Sequence, residues 1–595
     1  MPSAPDALLL ADSDRPDMTR RLARMLDFFG VAYERLPHSQ LWKVLRQGEG
    51  SRFRLLGAAP QYVELLEELD RRPGESRTWK ERVHSAFVYA NADHESLTSL
   101  MKTLGQGAQR IESVGADGEV VVTDAMDDFC GIMSGVRAFS NTKEFGGVPA
   151  VAPRGKGTDI ITAGGGAVFV RVEHQQIPVF LLTSHQLVDI DSDLATKNFD
   201  VREHFLESVP PVLYIKWAFA GVSWTAAEIN ACLVIDDPLL RRNYGCVDFQ
   251  ELLALTERHG FSANVAFIPW NWRRSRADVA RLFRDHPQRL SLSIHGCDHT
   301  GGEFGTVDAR VLSGKAKLAA ERMKLHESTT GIRHAEVMVF PQGVFSAPAM
   351  GVLKHANYVA AVNTELLSVD SNPPSITVSD AWDVAVMCYA CFPLFTRRYP
   401  SDNIANFAFD ALLGKPIIIV IHHDFCRNRC AELAAFIQRL NRLKGGMIWR
   451  DLGEVVRRSQ RHKATDTGEV EVEMYGSELR LDNESAVRRR FRVIRRETDP
   501  SAVQAIDADS RAMAWHHSSG HLRCEIDLDP GQTTLIRVHF HSGMTVNETR
   551  APLSQRLKTS LRRYLSEARD NYVVPSKIRL AELLTRAEYT DAPRG

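Results

Sequence analysis

The chain lacks any hydrophobic run long enough to cross a bilayer. Its aliphatic runs, such as IIIVI at 417–421, fall far short of the roughly 20 residues a spanning helix needs. It also lacks an excess of either charge: 73 Lys and Arg stand against 74 Asp and Glu, a formal net charge of -1. That balance gives no global reason to expect nucleic acid or an anionic surface as partner. The opening MPSAPDALLLADSDRPDM has no basic n-region and its short apolar segment is followed by acids, so it does not read as a signal peptide. Nine cysteines over 595 residues, one necessarily unpaired, do not make a disulfide framework and fit a reducing compartment. The expected location is therefore the cytoplasm. No long internal repeat, low-complexity tract or H-E-x-x-H pair occurs.

What is present is an ordinary globular composition, 44% apolar and 25% charged, with length for several cores. The expected class is α/β multidomain. Residues 1–222 begin with strand-then-helix units: ALLLAD, then the amphipathic RPDMTRRLARMLDFFG, then VAYERL, and later SAFVYANAD before HESLTSLMKTLG. This pattern resembles a flavodoxin-like or amidotransferase-like sheet, although no Cys sits in a nucleophile-elbow context. Over 225–456 strands and helices alternate again, from ACLVIDD through VDFQELLALTERHG and ANVAFIPW to PIIIVIHHD. That is the rhythm of a parallel barrel with polar residues at its strand ends. Over 466–595 the period changes to two in EVEVEMYGSELRLDNES and LRCEIDLDPGQTTLIRVHF, as in an antiparallel β-sandwich, and LSQRLKTSLRRYLSEARDN reads as a terminal helix.

The chemistry-bearing residues lie at the strand ends of the middle segment. SLSIHGCDHT (291–300) sets two histidines four apart, but Gly296 and Gly301-Gly302 would break a helix, so the pair is expected at the end of a strand. LVIDDP supplies Asp236 and Asp237, whose side chains must point in different directions. VFPQG supplies a Pro-x-Gly turn, and VIHHD supplies His422 and His423. Two imidazoles and one carboxylate leave open positions on a divalent ion, as catalysis requires.

The order D-D, H-x-x-x-H, F-P-x-G, H-D, each after a strand, resembles the polysaccharide deacetylases of the NodB-homology type (carbohydrate esterase family 4), in a divergent branch. The resemblance covers roughly 230–455 and implies a NodB-like (β/α) barrel. It further implies a metal-dependent hydrolase that removes N-acetyl or O-acyl groups from a sugar or polysaccharide precursor. Carried over position by position, it makes Asp236 the general base and Asp237, His295 and His299 the ligands of a divalent ion. Zinc is the first expectation, with cobalt, nickel or manganese as alternatives. His423 becomes the general acid, with His422 as its rival if the register differs by one. The backbone N–H of Gln342 helps hold the oxyanion. Three departures stand out: Pro238 replaces a Gly, Val339 stands where the family has an Arg that orients the base, and SDAWD (379–383) only loosely matches the later Asp-Trp motif. Arg241 or Arg242 is the expected substitute for the Arg. The partners this implies are a carbohydrate substrate and a polysaccharide-assembly system, with no nucleic acid and no membrane span. The alternative is a catalytically inactive scaffold or glycan-binding module of such a system.

Other features have plainer readings. Trp270 and Trp272 could stack on a sugar ring or simply pack the rim. CYAC and CRNRC could together hold zinc, but the apolar setting of the first reads as core. RRRFRVIRR (488–496) reads as the solvated face of a sheet rather than a nucleic-acid site.

Overall fold

The computed structural model describes residues 5–12, 15–47, 52–72, 74–90, 94–104, 111–113, 118–139, 149–151, 157–542 and 553–573. The protein is mixed α/β, with one curled parallel sheet and several further sheets. In the N-terminal part four parallel strands run in the order Tyr33–Leu36, Ala7–Leu10, Phe53–Ala58, Val83–Tyr89. Ile177–Leu182 joins parallel to the last of these, and antiparallel strands extend the sheet beyond it. The amphipathic segment expected after the first strand is the helix Pro16–Phe28, which starts with proline at its first position and buries Met18, Leu22, Met25 and Leu26. The helix Phe205–Ala218 is buried along most of its length, and Tyr214 and Trp217 pack against Phe180 of the sheet.

The middle sheet positions the site. Seven parallel strands lie in the order Leu394–Thr396, Ala360–Asn363, Val337–Val339, Leu290–His295, Ala263–Phe267, Asn230–Asp236, Ile417–His422. The sheet curls so far that Arg398, just past the first of these, bridges Ile419 of the last. Both faces are covered, which is why the strands read as near-continuous apolar runs and Asn230–Asp236 is buried throughout. Side chains still alternate. Cys232, Val234, Val339, Val362 and Ile418 meet in a small inner core, whereas Leu233, Ile235, Ile419 and Ile421 join the large outer one. Asp236 shares the inward parity of Cys232 and Val234, so the period of two aims its carboxylate along the inside of the curl. All seven strands end at the same rim, and in register Asp236 stands beside both His422 and Ala266.

Beyond Ser459 two sheets pack face to face around Val472, Leu479, Phe491, Val493, Ile506 and Ile536. Val470–Met474 and Arg489–Arg496 alternate buried positions with half-buried or exposed ones, as the sequence predicts. Their mutual pairing is parallel, however, inside a unit expected to be antiparallel. Alternation identifies a strand and its faces, but it carries no information about direction. The sheets are tied to the middle segment by a buried charge cluster: Lys354 Nζ and Arg495 both contact Glu497, at 2.6 and 3.2 Å.

Candidate functional site

The turn after Leu290–His295 answers the question raised by its two histidines. His295 ends the strand, Gly296 turns with φ +62°, and His299 itself adopts φ +55°, so the pair sits on a strand end and its loop rather than on a helix face. Glu303 folds this loop around its carboxylate, accepting the backbone N–H of Cys297 at 2.7 Å and of His299 at 3.1 Å. A Cβ on Gly296 would lie 2.2 Å from Glu303 Oε1 and 2.4 Å from Pro341 Cγ, so the close approach requires glycine.

Asp237, His295 and His299 converge. Nε2 of His295 and Nε2 of His299 lie 3.5 and 3.2 Å from Asp237 Oδ1, and one ligand atom from each residue falls within 4.8 Å of the others. His295 Nδ1 is 3.0 Å from the Val339 carbonyl. A carbonyl can only accept, so Nδ1 carries a proton and Nε2 is the ring nitrogen turned toward Asp237. Asp237 Oδ1 is buried without a hydrogen-bond donor, and Asp237 holds a strained φ of +82°. An orphaned carboxylate oxygen between two imidazole nitrogens is a donor set that fits a divalent cation. Burial works to raise the Asp237 carboxyl, but the two histidines and Arg563 outweigh it and hold it well below the usual carboxylate range. Among the described residues the cysteines of CYAC and CRNRC form no comparable group.

Asp236, 3% exposed, points to the other side and is met by a residue that sequence reasoning missed. Arg397, from the chain just past Leu394–Thr396, donates from Nη1 to Asp236 Oδ1 at 2.7 Å, both side chains being buried. Burial would raise the Asp236 carboxyl, yet the Arg397 guanidinium and His295 hold it below its ordinary value. The expected substitutes for the missing family Arg do not take this place. Arg241 instead pairs with Glu567 at 2.8 Å, and Val339, at the family's Arg position, serves through its carbonyl. The available signal was a pair of arginines, 397 and 398, directly following a buried strand.

Two of the remaining candidates, His423 and Trp270, meet the C-terminal helix Leu553–Ala568 or the turn after it. His423 is buried, its ring edge-on to Tyr244, with Nε2 3.6 Å from Asp570 Oδ1. Asp570 also accepts from the Tyr244 hydroxyl at 2.9 Å. Its own burial raises the Asp570 carboxyl, but His423 and Arg569 lower it further still. His422 is exposed and stacks on Tyr399. Trp270 packs edge-on against Tyr564 of the helix at 5.8 Å, and Glu567 pairs with Arg274 at 2.6 Å as well as with Arg241. Trp272 is stacked by Arg273, and Gln342 lies exposed in the Pro341–Gly343 turn with φ +58°. The helix thus lies against the rim, its buried Arg563 near the metal-type triad. The SDAWD segment forms the short helix Val378–Trp382, and its following Asp383 accepts from the Tyr475 hydroxyl rather than joining the rim.

No protein-family model and no curated protein matches the chain. It is similar to several solved structures. A family 4 carbohydrate esterase from Streptomyces lividans, in complex with acetate, is 16% identical over 38% of this chain and 97% of its own, with a TM-score of 0.24. A family 4 carbohydrate esterase from Bacillus anthracis is 14% identical over 40% and 86%, with a TM-score of 0.25. A mutant of a CE4 family pseudoenzyme with restored enzymatic activity is 13% identical over 38% and 68%, with a TM-score of 0.25. These three are carbohydrate esterase family 4 proteins, one of them a pseudoenzyme mutant, and the likeness covers about two-fifths of the chain.

Proposed function

We propose that the protein is a metal-dependent hydrolase that removes an N-acetyl or O-acyl group from a sugar or glycan precursor. The observation that carries this reading is the juxtaposition of two differently built carboxylates: Asp237 between two imidazoles, and Asp236 ionised against Arg397. A binding module has no use for the second. Asp237, His295 and His299 would hold a divalent ion, which supplies Lewis acidity toward an acyl carbonyl and acidifies water. Asp236 takes a proton from the attacking water, and Arg397 fixes its orientation and keeps it ionised before that step. His423 returns a proton to the leaving amine, with Asp570 steadying its ring. The Gln342 N–H, in its left-handed turn, adds a donor for the oxyanion. The Arg274 guanidinium lies over the Trp270 ring at 5.3 Å, so that face would receive a sugar only once Arg274 has moved aside.

One observation favours a second reading, a non-catalytic glycan-binding scaffold: Asp570 occupies the Nε2 side of His423, where a leaving group would have to sit. The two readings separate in a single series. Metal content is measured on unchelated protein beside Asp237→Asn and His299→Ala, and hydrolysis of acetylated chito-oligosaccharides and of a chromogenic acetyl ester is measured beside Asp236→Asn. About one ion per chain, lost in the first two variants, with turnover lost in the third, is the expected outcome. Bound metal with no turnover on any acyl substrate leaves the scaffold. Absence of metal after reconstitution refutes both the ion and the hydrolase.

A further inference from the structure

Among the described residues sixteen large hydrophobic side chains are exposed, and seven of them fall between 553 and 573. Four are leucines at a spacing of four on one helix: Leu553, Leu557, Leu561 and Leu565, each 62–74% exposed. At 3.6 residues per turn, each step of four drifts by only about 40°, so the four make one apolar stripe. A stripe of this kind is not normal surface scatter.

The charges of the same segment are sorted by side. Both of its acids face inward: Glu567 onto Arg241 and Arg274, Asp570 onto His423 and Tyr244. Arg556, Lys558, Arg562 and Arg569 are exposed. The outward surface of 553–573 is therefore apolar and positive with no negative group, although the whole chain carries a net charge of -1.

We infer that the outward face of Leu553–Ala568 docks on an anionic lipid bilayer, lying in the interface plane with its leucines in the acyl boundary and its cations on the headgroups. The combination of a leucine stripe with flanking Lys and Arg suits that surface on both counts. A second copy of the chain suits it less. A two-fold contact along the stripe would bring Lys558 and Arg562 toward their own counterparts. Because the inner face of this helix packs on the rim of the candidate site, docking would set that rim against the bilayer. This inference does not depend on what the site does.

The test is co-sedimentation of the full chain with phosphatidylglycerol-rich vesicles and with pure phosphatidylcholine vesicles. Binding to the anionic vesicles alone, weakening as salt is raised, is expected. The double variant Lys558→Gln/Arg562→Gln should bind about thirtyfold more weakly, from about 1 kcal/mol per cation near an anionic surface. Leu557→Ser/Leu561→Ser/Leu565→Ser should not bind. All five positions are exposed, so neither variant threatens folding. Equal affinity for both vesicle types, undiminished binding by either variant, or no binding at all overturns the inference. So does a lipid-free dimer in sedimentation velocity that the leucine variant abolishes, which would give the face to a second copy.

Discussion

Replacing Arg397 by methionine tests the buried pair that the fold places at the rim. The guanidinium is 2.7 Å from Asp236, and both side chains are almost inaccessible. Asp236 has no route to solvent along the inner core of Cys232 and Val234, which pack tightly below it. Removing one partner of such a pair leaves an uncompensated buried charge, at a cost of about 3–5 kcal/mol. An exposed pair of the same length would cost no more than about 1 kcal/mol. The second variant, Arg397→Met/Asp236→Leu, removes both charges and should recover most of the loss, because a packed apolar pair of similar volume is often neutral or better. Equilibrium urea unfolding, followed by tryptophan fluorescence and circular dichroism, gives both values and their coupling energy. A loss below about 1 kcal/mol in Arg397→Met would refute the reasoning, as would a double variant no more stable than the single one. In either case Arg397 could not be what keeps Asp236 ionised.

Three further outcomes follow from other parts of the structure. Burial, reinforced by His334, pushes the His326 imidazole down to about 4 from an ordinary 6.5. The unfolded chain therefore binds the extra proton first, and stability falls as pH drops from 6.5 through 4, by about 3 kcal/mol in all; a His326→Gln variant whose stability difference from the parent is flat over that range would contradict this. Gly245 has φ +58°, and a Cβ there would lie 2.2 Å from His423 Nδ1, so Gly245→Ala should cost about 1–2 kcal/mol from the left-handed backbone alone and displace the imidazole; an unchanged melting temperature speaks against it. Glu567→Gln weakens two charge-assisted contacts, to Arg241 and Arg274, and should speed hydrogen exchange across 553–573 while leaving the sandwich strands protected; equal protection in both proteins would mean that those pairs do not hold the helix down.

What could be read from the sequence was what depends on neighbours along the chain. Period-two alternation and apolar runs locate the strands, and a strand end followed by glycine predicts the His295–His299 turn, because those preferences are set within a few residues. The metal-type triad was legible for the same reason, Asp237 and His295 lying at the ends of two strands and His299 in the short loop after the second. Arg397 was not. Its strand, Leu394–Thr396, has three residues, and it meets a carboxylate 161 positions away. Asp570 was hidden more deeply, just past a helix whose amphipathic pattern shows an apolar stripe but not that the next acid reaches His423. The direction of Val470–Met474 against Arg489–Arg496 was equally silent, since both directions satisfy the same alternation.

Both hidden partners do the same physical work, and this explains why they come from so far away. A charge in a buried rim costs several kcal/mol unless another charge meets it, while each strand of the sheet delivers only one or two side chains to the rim. The strands that bring Asp236 and His423 are filled below by apolar residues, so compensation has to arrive from elements that end or cross at the mouth: Arg397 from the far edge of the curl, Asp570 and Arg563 from the C-terminal segment. Each arrival also excludes water, which strengthens the electrostatic contacts already there. The site's charge balance therefore depends on the chain from Asp236 through Asp570, and a fragment ending at the sandwich would expose His423 and leave Asp237 without Arg563. Deleting the C-terminal segment changes the chemistry of the rim as well as its accessibility, so the role of that segment is better probed by single residues such as Glu567 than by truncation.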